Sequence, residues 1–107
     1  MALGFSASEQ TLVATAISEI ARNIVQYAGR GEMRMRALEH DHTQGIEIVA
    51  EDRGPGIPDV DLAMRDGYST GGGLGMGLPG ARRLMDEFLI SSKVQVGTTV
   101  TMRKWVR

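Results

Sequence analysis

The chain contains no cysteine. A disulfide framework and a thiolate zinc site are therefore excluded, and the composition suits a reducing compartment. No stretch approaches the roughly 20 apolar residues that cross a bilayer, and the N-terminal residues lack a basic region followed by an apolar one. The expectation is a soluble, unexported, cytoplasmic protein with no membrane partner. Concentrated positive charge is missing as well. Net charge is −1 and the lysines and arginines are scattered, so the broad basic face of a nucleic-acid binder is absent and no nucleic-acid partner is expected. Internal repeats and low-complexity segments are not seen.

What remains is a chain of 107 residues, 42% of them hydrophobic, enough for one core and one domain spanning 1–107. Glycine is the outlier: 14 residues are about twice the usual share of roughly 7%. Six of them fall between Gly71 and Gly80. Turn glycines would be spread along the chain, whereas this concentration suits backbone brought close to a ligand, because a residue without Cβ permits that approach.

Ser6-Ala-Ser-Glu9 is a capping-box pattern, and the apolar stripe Val13, Ile17, Ile20, Ile24 and Tyr27 predicts a helix that Gly29-Arg-Gly31 ends. Residues 32–39 alternate as a half-buried strand does; His40 to Gly45 reads as a polar hairpin loop, and Ile46 to Ala50 as the partner strand. His40-x-His42 belongs to that solvated loop rather than to a metal site. Val60 to Met64 can form a short helix, and Gly67 to Gly77, without periodicity, reads as a lid. Leu78-Pro79 opens a further helix with Ala81, Leu84, Met85 and Phe88 on its apolar face. Two strands, Leu89 to Val94 and Val96 to Val106, close the chain. Met33, Met35, Met85 and Trp105 are assigned to the core. Strands in hairpins with helices on one face predict an α+β two-layer sandwich.

Three motifs carry chemistry. Glu19 and Asn23, four residues apart, share a helix face off the apolar stripe, where one can accept a proton and the other ligate a hard cation. Read alone, the pair is an ordinary exposed polar pair. Asp52, ending a strand before Gly54-x-Gly56, can accept from an exocyclic amine such as adenine carries, although an Asp-initiated turn is equally common. The run Gly71 to Gly77, with Leu74, Met76 and Leu78 interleaved, leads into a helix whose N-terminal N–H groups favour phosphate. It is neither a Walker loop nor a dinucleotide fingerprint, since no Lys-Ser or Lys-Thr pair follows and no early strand precedes it.

Taken in order, Asn23, Asp52-x-Gly54-x-Gly56, Gly73-Leu-Gly-Met-Gly77 and Gly97-Thr98 resemble the four ATP boxes of the GHKL superfamily. Within it, Ser18 to Asn23, Glu51 to Asp59 and Gly73 to Phe88 resemble the bacterial serine kinases of the RsbW, SpoIIAB and RsbT group, and Lys104-Trp-Val-Arg107 falls nearest the stressosome switch kinases. The resemblance implies a Bergerat fold, with helices on one face of a mixed sheet, in a chain that lacks the strand and helix with which such kinases begin. It implies ATP and Mg²⁺ as cofactors. Asn23 is then the Mg²⁺ ligand, Asp52 the adenine reader and Thr98 its helper through a shared water. Gly54 and Gly56 shape the floor; Gly73, Leu74, Gly75, Met76, Gly77 and Leu78 form the lid; Glu19 is the catalytic base. Arg22 and Arg65 are candidate cationic helpers that read more simply as surface charge. The implied partners are STAS-domain stressosome proteins as substrates and a PP2C-type phosphatase as the activated target. An anti-sigma factor and an excised histidine-kinase catalytic domain are the alternatives.

Overall fold

The computed structural model describes residues 4–57, 60, 64 and 77–107. Helix α1 spans Ala7–Ala28. Its start is the predicted capping box: the Glu9 N–H donates to Ser6 Oγ at 3.1 Å, and the Ser6 N–H donates to Glu9 Oε1 at 3.0 Å. Gly29, at φ 83°, stops it. Val13, Ala16, Ile20 and Ile24 are buried, as the periodicity requires. Tyr27 departs from the expected stripe and is 48% exposed. Placed just before the cap, it lies beyond the part of the stripe that the core covers.

Strands β1 (Gly31–His40) and β2 (Thr43–Asp52) form an antiparallel hairpin. The expected loop from His40 to Gly45 is much shorter: only Asp41 and His42 turn, at φ 51° and 66°, and His40 already pairs with Thr43. Two successive positive φ values are those of a type I′ turn, whose twist matches the flanking strands and lets them zip further than polarity suggests. Helix α2 (Gly77–Leu84) and strands β3 (Glu87–Lys93) and β4 (Gly97–Trp105) complete the described elements. Met64 N–H donates to the Val60 carbonyl at 3.0 Å; the rest of the short helix expected there, residues 61–63, lies outside the described ones.

The sheet order is β1-β2-β4-β3. The architecture is the predicted α+β sandwich, but every described pairing is antiparallel where the resemblance implied a mixed sheet. Ile46, Ile48 and Ala50 of β2 lie opposite Lys104, Met102 and Val100 of β4, and this face joins Val13, Ile20, Ala81 and Met85 in one apolar cluster. Burying each large side chain contributes about 1.5–3 kcal/mol. Met85 and Met102 are core residues, Met33 is half-buried, and Met35, on edge strand β1, is 61% exposed.

α2 ends earlier than its apolar pattern predicts, and Phe88 lies in β3. The reason is β4. Lys104 Nζ, on a residue only 8% exposed, donates to the Leu84 carbonyl at 3.0 Å. Asp86 N–H donates to the Arg103 carbonyl at 2.9 Å, and the Trp105 N–H donates to Asp86 Oδ2 at 2.7 Å. Arg107 pairs with the other Asp86 oxygen. Backbone committed to a neighbouring strand cannot continue a helix.

The opposite face of the sheet is polar. Arg36, Glu47, Arg103 and Glu87 stand directly opposite one another across all four strands. Glu47 accepts from Arg36 Nε at 2.7 Å and Arg103 Nε at 2.8 Å, bonds that hold its carboxyl below the ordinary value against the opposing effect of burial. Glu87 accepts from Trp105 Nε1 at 2.7 Å and Arg103 Nη1 at 3.0 Å, which lower its pKa in that order. Trp105, assigned to the core from sequence, is thus half-buried on this outer face, where its indole N–H finds a carboxylate.

Candidate functional site

Glu19 and Asn23 occupy successive turns of α1, so their side chains neighbour one another. Glu19 is not the exposed acid its sequence position suggests: it is 4% exposed, and Arg22 Nη1 donates to its Oε1 at 3.0 Å. Arg22 is therefore engaged with the expected base rather than standing as loose surface charge. Asn23 is half-buried. Arg65 lies outside the described residues.

At the far end of β2, Asp52 faces Thr98 directly across the β2–β4 ladder. Asp52 Oδ1 accepts the Gly54 N–H at 2.9 Å, an Asx-type turn that aims the carboxylate and starts the Gly54-Pro-Gly56 loop. Gly54 packs against α1: a Cβ there would lie 2.5 Å from that of Ala28. The loop also docks on the β3–β4 turn, where Gln95 N–H donates to the Pro55 carbonyl at 2.7 Å. Gly56 and Gly97, at φ 78° and 142°, make that contact possible, since Cβ atoms would lie 2.3 Å from the Lys93 carbonyl oxygen and 2.0 Å from that of Asp52. Two turns from distant parts of the chain thereby form one floor.

Ser92 fastens that floor, and sequence reasoning passed over it. Its Oγ accepts the Ile57 N–H at 2.7 Å and lies 2.7 Å from Thr98 Oγ1 and 3.3 Å from the Gly97 carbonyl oxygen. The available signal was alternation. Phe88 and Ile90 mark the inward positions of β3, and Ser92 continues that series as a polar residue on the helix-covered face.

Leu78, Pro79 and Gly80 are buried in the first turn of α2, immediately after Gly77. Gly73, Leu74, Gly75 and Met76 of the expected lid lie outside the described residues. The helix places its N-terminal N–H groups and positive dipole end where the glycine run arrives.

A family model described as "Histidine kinase-, DNA gyrase B-, and HSP90-like ATPase" matches residues 8–107. The chain belongs to this ATPase family. It is 50% identical over 105 residues to the serine/threonine-protein kinase RsbT of Bacillus subtilis (strain 168), covering 98% of this chain and 79% of that one. It is also 34% identical to an anti-sigma F factor of Clostridium novyi (strain NT), over 90% of this chain and 71% of the relative. Among solved structures the mycobacterial sensor histidine kinase MprB superposes with a TM-score of 0.65 at 19% identity, covering 91% of this chain and 72% of that one. That likeness is one of fold.

In this ATPase-family chain the sheet register joins Asp52 to Thr98, while α1 joins Glu19 to Asn23. Among the described residues no three His, Cys, Asp or Glu side chains gather as a metal cage. The donors fit a cation that arrives with phosphates, since Mg²⁺ keeps several waters and takes few protein oxygens; Asn23 offers one such oxygen. A cleft of about 740 Å³ beside Asp52, lined by Arg30, Arg34 and Arg53 among others, includes neither Asn23 nor Thr98. Among the described residues no helix is long and apolar enough to cross a membrane.

Proposed function

We propose that residues 1–107 act as a single ATP- and Mg²⁺-dependent protein serine/threonine kinase domain working in the cytoplasm. Its substrates are STAS-domain proteins of a stressosome, and on release it activates a PP2C-type phosphatase in a sigma-factor stress cascade. The observation that carries the reading is 50% identity to a serine/threonine-protein kinase over 98% of the chain, in a fold that sets Asp52 against Thr98.

Each residue has a chemical part. The free oxygen of Asp52 accepts from the adenine amine while Thr98 stands beside it, and Gly54 and Gly56 let the base approach the floor. Asn23 would hold Mg²⁺, which would neutralise phosphate charge. The run Gly73 to Leu78 would serve as the ATP lid, and the α2 N-terminus adds oriented N–H groups. Glu19, buried and kept in place by Arg22, takes the proton of the acceptor hydroxyl. Phosphoryl transfer depends chiefly on positioning and charge neutralisation, and this set supplies both.

The test is incubation with a STAS-domain partner and labelled ATP. Transfer of label to a serine or threonine of the partner is expected; ATP binding without transfer would sink the kinase assignment. A second reading, an anti-sigma factor that binds a sigma factor and phosphorylates an anti-anti-sigma factor, is favoured by the 34% identical relative named as one. Co-purification of a sigma factor with the protein would put it first.

A further inference from the structure

We infer that Ser92 is a positioning residue for base recognition: its hydroxyl donates to Thr98 and so releases the Thr98 proton toward the nucleotide. The inference rests on the reading of Asp52 and Thr98 as the base-facing pair. Asp52, Thr98 and Ser92 form one row across β2, β4 and β3, so their side chains lie on the same face of the sheet.

A serine hydroxyl has one proton to give and two lone pairs. The Ile57 N–H, at 2.7 Å, occupies one lone pair of Ser92 Oγ. The proton then goes either to Thr98 Oγ1 at 2.7 Å or to the Gly97 carbonyl oxygen at 3.3 Å. The Thr98 contact is a bond whichever hydroxyl donates, and the Gly97 carbonyl, at 3.3 Å, lies beyond the usual O–H···O span of about 2.5–3.0 Å, so Thr98 is the better-placed acceptor for the Ser92 proton.

The neighbouring carboxylate decides in the same direction. Asp52 is an acceptor only, and one of its oxygens already takes the Gly54 N–H. Were Thr98 to spend its proton on Ser92, the row would show the base two acceptors side by side. With Ser92 as donor it shows an acceptor and a donor. Adenine presents the complement: the exocyclic amine donates, and the adjacent ring nitrogen N1 accepts, directly or across one water. Ser92 thus sets the hydrogen-bond polarity of a group it lies behind, while its grip on Ile57 fixes the loop carrying Gly54 and Gly56.

The experiment is equilibrium titration of the protein with ATP and with 1-deaza-ATP, in which C–H replaces N1. The wild type should bind 1-deaza-ATP about tenfold more weakly. Ser92→Ala removes the bond that fixes the Thr98 hydroxyl, which can then turn about χ1 away from the base; the variant should bind ATP about tenfold more weakly, should lose most of the discrimination between the two nucleotides, and should add little when Thr98 is already valine. Additive effects of Ser92→Ala and Thr98→Val, or discrimination retained by Ser92→Ala, would reduce Ser92 to a brace for Ile57 and overturn the inference. The wild-type comparison needs no variant: equal binding of the two nucleotides also overturns it. Absence of any ATP binding by the wild type would instead remove the kinase reading beneath it.

Discussion

The ammonium of Lys104, a β4 residue, caps the last turn of α2 by donating to the Leu84 carbonyl at 3.0 Å. A cation at a helix C-terminus satisfies an orphan carbonyl and opposes the negative dipole end. Lys104→Met preserves most of the packed stem and removes the donor. It should lower stability by about 1–3 kcal/mol, read as a reduced urea midpoint with an unchanged slope. An unchanged midpoint would show that the cap contributes nothing.

The β3–β4 turn leaves no room at Gly97, where a Cβ would lie 2.0 Å from the Asp52 carbonyl oxygen. At φ 142° a side chain is strained as well. Gly97→Ala should therefore cost at least about 2 kcal/mol and weaken ATP binding together with stability. Calorimetric unfolding and nucleotide titration of the same sample check the two effects.

Acid should loosen the outer face of the sheet. The pKa of Glu47 is lowered by its hydrogen bonds to Arg36 and Arg103, so the folded state binds the proton less readily than the unfolded chain. The stability this provides is complete above the unfolded value near 4.5 and is lost as pH falls through the lowered one. Glu47→Gln should be less stable than wild type at pH 7, and the difference should shrink as pH drops below about 4. A difference independent of pH between 7 and 3 would count against the charge network.

Binding and chemistry should separate between two carboxylates. Glu19→Gln keeps the shape of a buried side chain and removes the proposed base. It should hold ATP within about threefold of wild type while phosphorylation falls by about a hundredfold or more. Asp52→Asn should instead weaken ATP binding by about ten- to a hundredfold. Normal transfer by Glu19→Gln would mean that another group takes the proton.

Much of this was legible because local chemistry and tertiary packing agree. The Ser6–Glu9 box, the Val13-to-Ile24 stripe and the Gly29 stop are short-range signals, and the structure honours each. Misreadings arose where a distant strand decides. Phe88 fits a helix face by spacing, yet the β4 backbone recruits Asp86 and turns the chain into a strand first. Asp41 and His42 carry no Asn-Gly signature, so their tight turn hid inside a polar stretch. The site divides the same way. Asp52 and Asn23 are visible through motif, whereas the burial of Glu19, its bond to Arg22 and the part of Ser92 depend on elements that meet only in three dimensions.

The strand order β1-β2-β4-β3 has a kinetic consequence. Each hairpin, β1 with β2 and β3 with β4, joins neighbours in sequence and can zip early, whereas the central β2–β4 seam must close the long stretch of chain between them. Asp52 and Thr98 face each other across that seam, and Ser92 stands one strand further on. The row proposed to read the base therefore does not exist in a half-folded chain, and on that proposal a nascent protein with both hairpins formed would still be blind to ATP. Nucleotide capture would thus report that the slowest contact has been made.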